Sequence, residues 1–289
     1  MKNIFNTKFH LRFIANPIIR YYSNHISKYV GVNENQSREI PIIVSLTSYE
    51  ERFKDLEVSL FSLLNQTVKP DKIILWLSDE YELNDLPYAV SKYVKNGLEI
   101  RFVKDLHSYT KFYYTFKEYK ENIIVTADDD IYYPQDWLEK LYLSYISYPN
   151  DIHLHRAHRV LINEGKIFPY EKWTKHVKEE SARYDNFITG VGGALYPPNC
   201  FSKEVLRSDI FMKYAPFADD IWLWLMALLN NRKIRVVKNH ISTLTCVNLF
   251  RQLGLTRQKT LYSINKKGRN DRQLKKLMKL YGQNIINKL

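Results

Sequence analysis

Three adjacent carboxylates, Asp128, Asp129 and Asp130, follow directly on the run 122–127 (NIIVTA). Like charges packed this closely repel. At a strand end they persist only where a cation or a set of hydrogen-bond donors holds them. Hard divalent ions such as Mn²⁺ or Mg²⁺ take oxygen ligands of this kind and bridge protein carboxylates to a diphosphate. If the strand continued through the triplet, alternation would set Asp128 and Asp130 on one side and Asp129 on the other. The bland alternative is an acidic surface turn. The place of the triplet, at the end of a strand in an alternating series, favours a ligand site.

A second acidic pair, Asp219-Asp220, opens the apolar stretch 219–229. A helix dipole stabilises negative charge at that end, so capping alone would account for the pair. The functional alternative is a general base for a hydroxyl nucleophile. Thr189-Gly190-Val191-Gly192-Gly193 spends three of only nine glycines in one loop, which suits either a tight turn or a close approach of backbone to ligand. His240 follows a predicted strand over 233–237 and reads as a structural residue or a metal ligand. His153, His155 and His158 share one segment, but no cysteine or further carboxylate joins them at zinc-ligand spacing. They read as structural or substrate-lining. The segment 168–173 (FPYEKW) offers Trp173 as a stacking surface for a sugar ring, or as packing for an irregular loop.

The elements that must position these residues alternate. Predicted strands lie at 40–46, 72–77, 100–103 and 122–127, separated by helical patterns at 53–65, 88–95 and 111–120. Such alternation specifies βαβ units and a largely parallel sheet, with ligands beyond the carboxyl ends of the strands. Further on, 135–148 reads as a helix, 152–158 as a strand, 161–189 as irregular, and 219–229 as a buried helix. The last stretch sets Leu274, Leu277, Met278 and Tyr281 on one face of a helix, opposite Arg272, Lys275, Lys276 and Lys279. That pattern suits a membrane surface equally with packing back onto the domain.

The chain has 289 residues, 45% of them hydrophobic, enough for one sizeable core. No run approaches the length of a spanning helix, and the N-terminus has no clean apolar stretch or cleavage site of the secretory kind. Two isolated cysteines, Cys200 and Cys246, predict reduced thiols in a cytoplasmic protein. The net charge of +12 is uneven: +4 over 1–39, +10 over 247–289 and −2 over 40–246. The expected organisation is therefore a basic N-terminal extension (1–39), a catalytic domain (40–246) and a basic helical C-terminal tail (247–289). Terminal basic charge can face nucleic acid, an anionic membrane surface such as the inner face of the cell membrane, or only water.

In order along the chain, 44–49 (VSLTSY) with Arg52, 60–67 (LFSLLNQT), the 128–130 triplet, the 190–193 glycines, Asp219-Asp220 and His240 resemble the GT-A-fold glycosyltransferases, particularly the bacterial family 2 type. The resemblance spans roughly 40–245. It implies a Rossmann-like α/β fold, a mixed and mostly parallel sheet flanked by helices, with the basic ends as helical extensions. It implies a nucleotide-sugar donor of the UDP type, lying near Thr47, Tyr49 and Arg52. Asp130 corresponds to the metal-binding acid of the DXD element, with Asp128 on ribose or the metal's water shell and Asp129 between them. Asp220, with Asp219 as the alternative, corresponds to the base of the ED element, and His240 to a metal-binding histidine that some members carry. Gly192 and Gly193 fall in the acceptor-side loop, where Trp173 is also expected. Lys111 is assigned near phosphate. Asp79 is assigned to the nucleotide base, although the second strand ends in Ser78-Asp79-Glu80 rather than the family's DDGS. The expected reaction is metal-dependent, inverting transfer to a glycan or lipid-linked glycan, as in capsule or lipopolysaccharide assembly.

Two other classes compete. A sugar-phosphate nucleotidyltransferase should carry a glycine- and base-rich loop after its first strand, but residues 45–52 include no glycine. A non-enzymatic nucleic-acid binder should interleave aromatics and cations on one platform, but here the cations are terminal.

Overall fold

The run IIVSLT begins the fold because its apolar, β-branched residues suit a strand buried on both faces. It forms β1 (Ile42–Thr47). A computed structural model describes residues 21, 30–34, 37–241, 245–248 and 268–289. Most of the predicted N-terminal extension and residues 249–267 of the predicted tail lie outside the described residues. After β1 come α1 (Phe53–Leu64), β2 (Lys72–Ser78), α2 (Tyr88–Ser91), β3 (Leu98–Val103), α3 (Thr110–Glu118) and β4 (Ile123–Thr126). The second half contains β5 (Ile131–Tyr132), α4 (Trp137–Ser147), β6 (Ile152–Leu154), β7 (Ala157–Arg159), β8 (Ile162–Asn163) and β9 (Lys166–Ile167). It continues with β10 (Ser181–Arg183), β11 (Asn186–Ile188), β12 (Ala194–Tyr196), α5 (Ser208–Tyr214), α6 (Asp219–Leu229), β13 (Ile234–Val236), β14 (Thr245–Cys246) and α7 (Arg269–Ile285).

Eight strands make one mixed sheet in the order β10-β13-β6-β12-β4-β1-β2-β3. β1 pairs in parallel with both β2 and β4, β2 with β3, and β13 with β6. β12 runs antiparallel between β4 and β6, and β10 antiparallel on β13. The strand order turns back on itself between β1 and β4. In open α/β sheets such a switch point opens a crevice at the carboxyl ends of the strands. The loop over 48–52 leaves β1 at that crevice, and the aspartate triplet leaves β4 beside it.

One face of β1 (Ile42, Val44, Leu46) packs with Leu56, Leu60 and Leu63 of α1. The other carries Ile43 and Ser45 under α3. There Ser45 Oγ donates to the Lys111 carbonyl and bonds to Thr115 Oγ1 at 2.7 Å, while Trp76 Nε1 donates to Ser45 Oγ at 3.1 Å and to Thr115 Oγ1 at 2.7 Å. This buried polar knot fixes the first turns of α3 on the sheet. A fully satisfied network in a low-dielectric interior specifies a single arrangement.

The predicted strand over 152–158 is two strands. His155 takes its ring out of the ladder: Nε2 bonds to the Trp137 carbonyl at 2.9 Å, and Nδ1 accepts the Ile241 N–H at 3.2 Å. β6 stays in the main sheet, whereas β7 turns away to pair with β11. The stretch read as irregular also contains β8–β9, a hairpin with a two-residue turn. Its turn residues Glu164 and Gly165 both have positive φ (48° and 70°), as a type I′ turn demands.

α6 is apolar all round (DDIWLWLMALL) and correspondingly buried from Ile221 to Leu228. α7 packs against it through Leu274, Leu277 and Ile285. Of the two uses open to this amphipathic helix, its apolar stripe takes the packing one, and Lys275, Lys276 and Lys279 face solvent. Among the described residues no helix is long and apolar enough to cross a membrane.

Candidate functional site

β4 ends at Thr126, and the aspartates sit in the turn that follows, so strand alternation does not govern them. The expectation that Asp128 and Asp130 share a face is corrected by this. Asp129 and Asp130 point together to the β1 loop. Arg52 Nη1 lies 2.8 Å from Asp129 Oδ1 and 2.6 Å from Asp130 Oδ2, and Ser48 Oγ donates to Asp129 Oδ2 at 2.6 Å. Asp128 points the other way, to Lys111 Nζ at 2.5 Å, and its own N–H donates to the Tyr133 hydroxyl at 2.8 Å. Burial raises the pKa of Asp129, against the opposing pull of Arg52 and Ser48. Burial disfavours the Arg52 and Lys111 cations too, but the aspartates outweigh it and hold both pKa values above their ordinary ranges.

The other expected nucleotide contacts flank this cluster. Tyr49 is exposed, its hydroxyl accepting the Arg52 Nε–H at 2.9 Å. Thr47 Oγ1 donates to the Trp76 carbonyl at 2.8 Å. Asp79 stands exposed beyond the end of β2, anchored by its N–H to the Val103 carbonyl.

Asp128 and Lys111 also line a cleft of about 520 Å³ whose far wall is the head of α6, with Asp219 and Asp220. Gly190 N–H donates to Asp220 Oδ1 at 3.0 Å. A Cβ at Gly190 would stand 3.1 Å from that oxygen and 3.8 Å from Lys111 Nζ, so a side chain here would press the carboxylate out of its present position. Burial pushes the Asp220 pKa well up, and Asp219 adds to the rise. Lys111 opposes it, Asp128 reinforces it, and the Gly190 hydrogen bond opposes it.

Within the glycine loop, the glycine that meets the cleft is therefore Gly190, with Thr189 and Val191 beside it. Gly192 and Gly193, expected on the acceptor side, serve Trp137 instead. The Gly192 carbonyl accepts the Trp137 Nε1–H at 2.8 Å. Gly193 has φ +76°, and a Cβ at this position would stand only 2.4 Å from the Trp137 ring. Trp173 is likewise corrected. It is 3% exposed, its Nε1–H donates to the Phe168 carbonyl at 2.7 Å, and its ring packs against Phe187 and Trp224. From the same segment it is Tyr170 and Glu171 that reach the cleft. His153 is buried between Ser144 Oγ and the Tyr148 carbonyl, a structural role. His240, just past β13, is half-buried, and burial lowers its pKa. His158 reaches the cleft wall.

The residues present can be tested against a divalent ion. Among the described residues no three metal-ligating side chains converge. A resident, all-protein cage therefore does not fit. A shared ion does: Mg²⁺-like cations are held by one or two carboxylates with phosphate oxygens and waters completing the shell. Asp130 on the Arg52 side of the turn and Asp128 on its Lys111 side, with side chains 17% and 21% exposed, each supply oxygen donors of that kind.

Several cleft residues carry no mark in the sequence. Arg156, Lys175 and His176 line it, as do Asn270 and Asp271 from the start of α7. The Tyr170 N–H donates to Asp271 Oδ1 at 2.7 Å, tying that wall to the C-terminal helix. Only the fold brings these separate segments together.

Fold and site define a class: a mixed, mostly parallel α/β protein of Rossmann-like architecture, with an acid-lined cleft at the carboxyl ends of its strands. More particular comparison gives no family. No family model and no curated protein matches the chain. Solved structures do show likeness. The S. aureus protein TarS (residues 1–349) matches at 15% identity and TM-score 0.49, over 85% of this chain and 74% of that one. The inositol-1-phosphate CTP transferase from T. maritima matches at 15% identity and TM-score 0.42, over 80% and 99%. The Pyrobaculum calidifontis mannosyltransferase PcManGT, solved with GDP-Man and Mn²⁺, matches at 16% identity and TM-score 0.34, over 50% of this chain. This chain spans 44% of that mannosyltransferase's length. At such identities and scores the likeness bears on neither reaction nor ligand.

Proposed function

We propose that the protein is a GT-A-type glycosyltransferase that moves a sugar from a UDP-sugar to a hydroxyl of a glycan or lipid-linked glycan, with inversion. The observation that carries the reading is the meeting in one cleft of strand-end Asp128 and helix-head Asp219 and Asp220, with Lys111 close to both. The ordered sequence motifs point the same way.

Asp220 acts as the general base. Its raised pKa suits it to accept a proton from a hydroxyl, and the Gly190 N–H holds its carboxylate in one orientation. The deprotonated oxygen attacks the anomeric carbon from the face opposite the departing diphosphate, a single displacement. Asp219 tunes the base through its charge. Arg52 and Lys111 hold the strand-end aspartates before the donor arrives and lie where its phosphates would recruit them. Asp130, with Asp128, would hold Mn²⁺ or Mg²⁺ jointly with the diphosphate, and His240 is the further candidate ligand. When bound, the ion would offset charge on the leaving nucleoside diphosphate.

The test is turnover of a nucleotide-sugar panel with Mn²⁺. Loss of a general base is expected to lower kcat about 10²- to 10⁴-fold in Asp220→Asn. Asp130→Asn is expected to raise the Mn²⁺ concentration needed for half-maximal rate. Wild-type behaviour in both variants refutes these roles. The exposed Lys275, Lys276 and Lys279 of α7 are assigned to an anionic membrane surface, each contributing about 1 kcal/mol near it. Since the apolar stripe is in the core, vesicle binding should vanish at high salt. Salt-resistant binding would contradict a purely electrostatic contact.

A further inference from the structure

Beside its acids, which include Glu171 and Asp271, the cleft is lined by Arg156, Lys175, His158 and His176. Arg156 stands at the break between β6 and β7. Its Nε is buried and makes no hydrogen bond among the described residues, and no carboxylate pairs with its guanidinium there. A buried guanidinium nitrogen without a partner is rare, because burial removes its water and no protein acceptor replaces it. His158 and His176 lie beside it with ring centroids 5.4 Å apart. The His176 N–H donates to His158 Nδ1 at 3.2 Å, so a neutral His158 carries its ring proton on Nε2, as a donor. Lys175 Nζ donates to the Tyr170 carbonyl at 2.5 Å and sits 3.3 Å above the Tyr170 ring.

We propose that Arg156, Lys175, His158 and His176 form a phosphate-binding subsite for the acceptor, so that the hydroxyl presented to Asp220 belongs to a phosphorylated glycan. The inference rests on the transferase reading and names the substrate class of the same cleft. Arg156 is the specific element: a guanidinium offers a planar fork of donors matched to phosphate oxygens, and here that fork is uncommitted. A phosphate, with three oxygens and up to two charges, uses this set of donors more fully than a carboxylate does. The donor's diphosphate is served from the other side, by Arg52 and Lys111 at the ends of β1 and β4. The four groups also disfavour one another's charge. Burial, then Lys175 and Arg156, pushes His158 down to about 3, and burial with Arg156 lowers Lys175 to about 8, against Asp271 and Glu171. An arriving dianion relieves that repulsion.

The experiment measures the melting temperature of the full chain against inorganic phosphate, methyl phosphate and methyl diphosphate, with acetate at matched ionic strength. Each is run with and without saturating UDP and Mn²⁺. Phosphate-specific stabilisation is expected, and it should persist when UDP and Mn²⁺ are bound. Arg156→Met should weaken phosphate affinity about 10- to 100-fold, and Arg156→Lys less, as befits charge-assisted hydrogen bonds. Lys175→Met is a second probe should Arg156→Met fail to fold. Preference for methyl phosphate marks a phosphomonoester on the glycan, and preference for methyl diphosphate marks a lipid-linked glycan; both support the subsite. Equal stabilisation by acetate, displacement of phosphate by UDP, or unchanged phosphate affinity in Arg156→Met and Lys175→Met overturns it. The arm with UDP and Mn²⁺ alone reads the transferase proposal separately: no stabilisation there defeats that proposal whatever phosphate does.

Discussion

At Asp220 a carboxyl group is half-buried beside a second carboxyl, with Lys111 and one backbone N–H as counterweights. Its pKa in the fold lies above that of an ordinary aspartate, so the folded state prefers it protonated. Its contribution to stability is therefore fully present below the ordinary carboxyl range and is lost as pH rises through the folded pKa. Above that raised pKa the ionised group strains the fold. Asp220→Asn, which keeps the oxygen that accepts the Gly190 N–H, should raise the melting temperature at pH 7 by a few degrees. The gain should shrink as the pH is lowered, even as activity is lost, a trade expected where a site holds strained charge. The acidic limb of kcat/KM should accordingly lie above the ordinary aspartate range. Lys111→Met should move it higher, because the ammonium is the larger of the two groups that lower the Asp220 pKa. A destabilised Asp220→Asn, or a limb that moves down in Lys111→Met, would contradict these electrostatics.

Among the elements, those that repeat a strong local signal were legible. β1, β2, β4 and α6 fall within a residue or two of the runs 40–46, 72–77, 122–127 and 219–229, because continuous apolar runs bounded by turns leave few alternatives. The region from 152 to 189 was not. Its strands are two or three residues long, and what divides β6 from β7 is a pair of hydrogen bonds from His155 to Trp137 and Ile241, neither of which is a neighbour in sequence. The acids of the cleft stood out because carboxylates are conspicuous at a strand end or a helix head. Arg156 and Lys175 did not, since a lone cation in a mixed segment has no periodic signature. Trp173 misled for a related reason: an aromatic in an irregular loop reads alike whether it faces a ligand or, as here, the core. α7 belongs to the same lesson, for its amphipathic pattern was compatible with a membrane or with α6. Leu277 is fully buried under it. Leu277→Ala should destabilise the protein by about 2–5 kcal/mol in chemical denaturation. It should also loosen the wall that Asp271 ties to Tyr170, raising the acceptor KM more than it lowers kcat. A change below about 1 kcal/mol (the size of a typical surface effect) would mean that α7 is not held as described.

On the scale of the whole molecule, the sheet reverses its order between β1 and β4, and the two loops that leave those strands meet through Arg52, Asp129 and Asp130. That junction opens into a cleft whose opposite wall is the head of α6. Among the described residues, Lys275, Lys276 and Lys279 lie on the outer face of α7, away from the cleft lining. The proposed function gives three tasks separate places: a nucleotide diphosphate held at the switch point, a hydroxyl activated at α6, and an anionic surface met elsewhere. The chemistry depends on the first. Isothermal titration of UDP into the full chain, with and without Mn²⁺, measures it directly. Binding should tighten at least tenfold with Mn²⁺, about 1.4 kcal/mol, and should lose this enhancement in Asp130→Asn. UDP affinity that is absent, or indifferent both to Mn²⁺ and to the Asp130 substitution, would contradict a diphosphate site at the switch point.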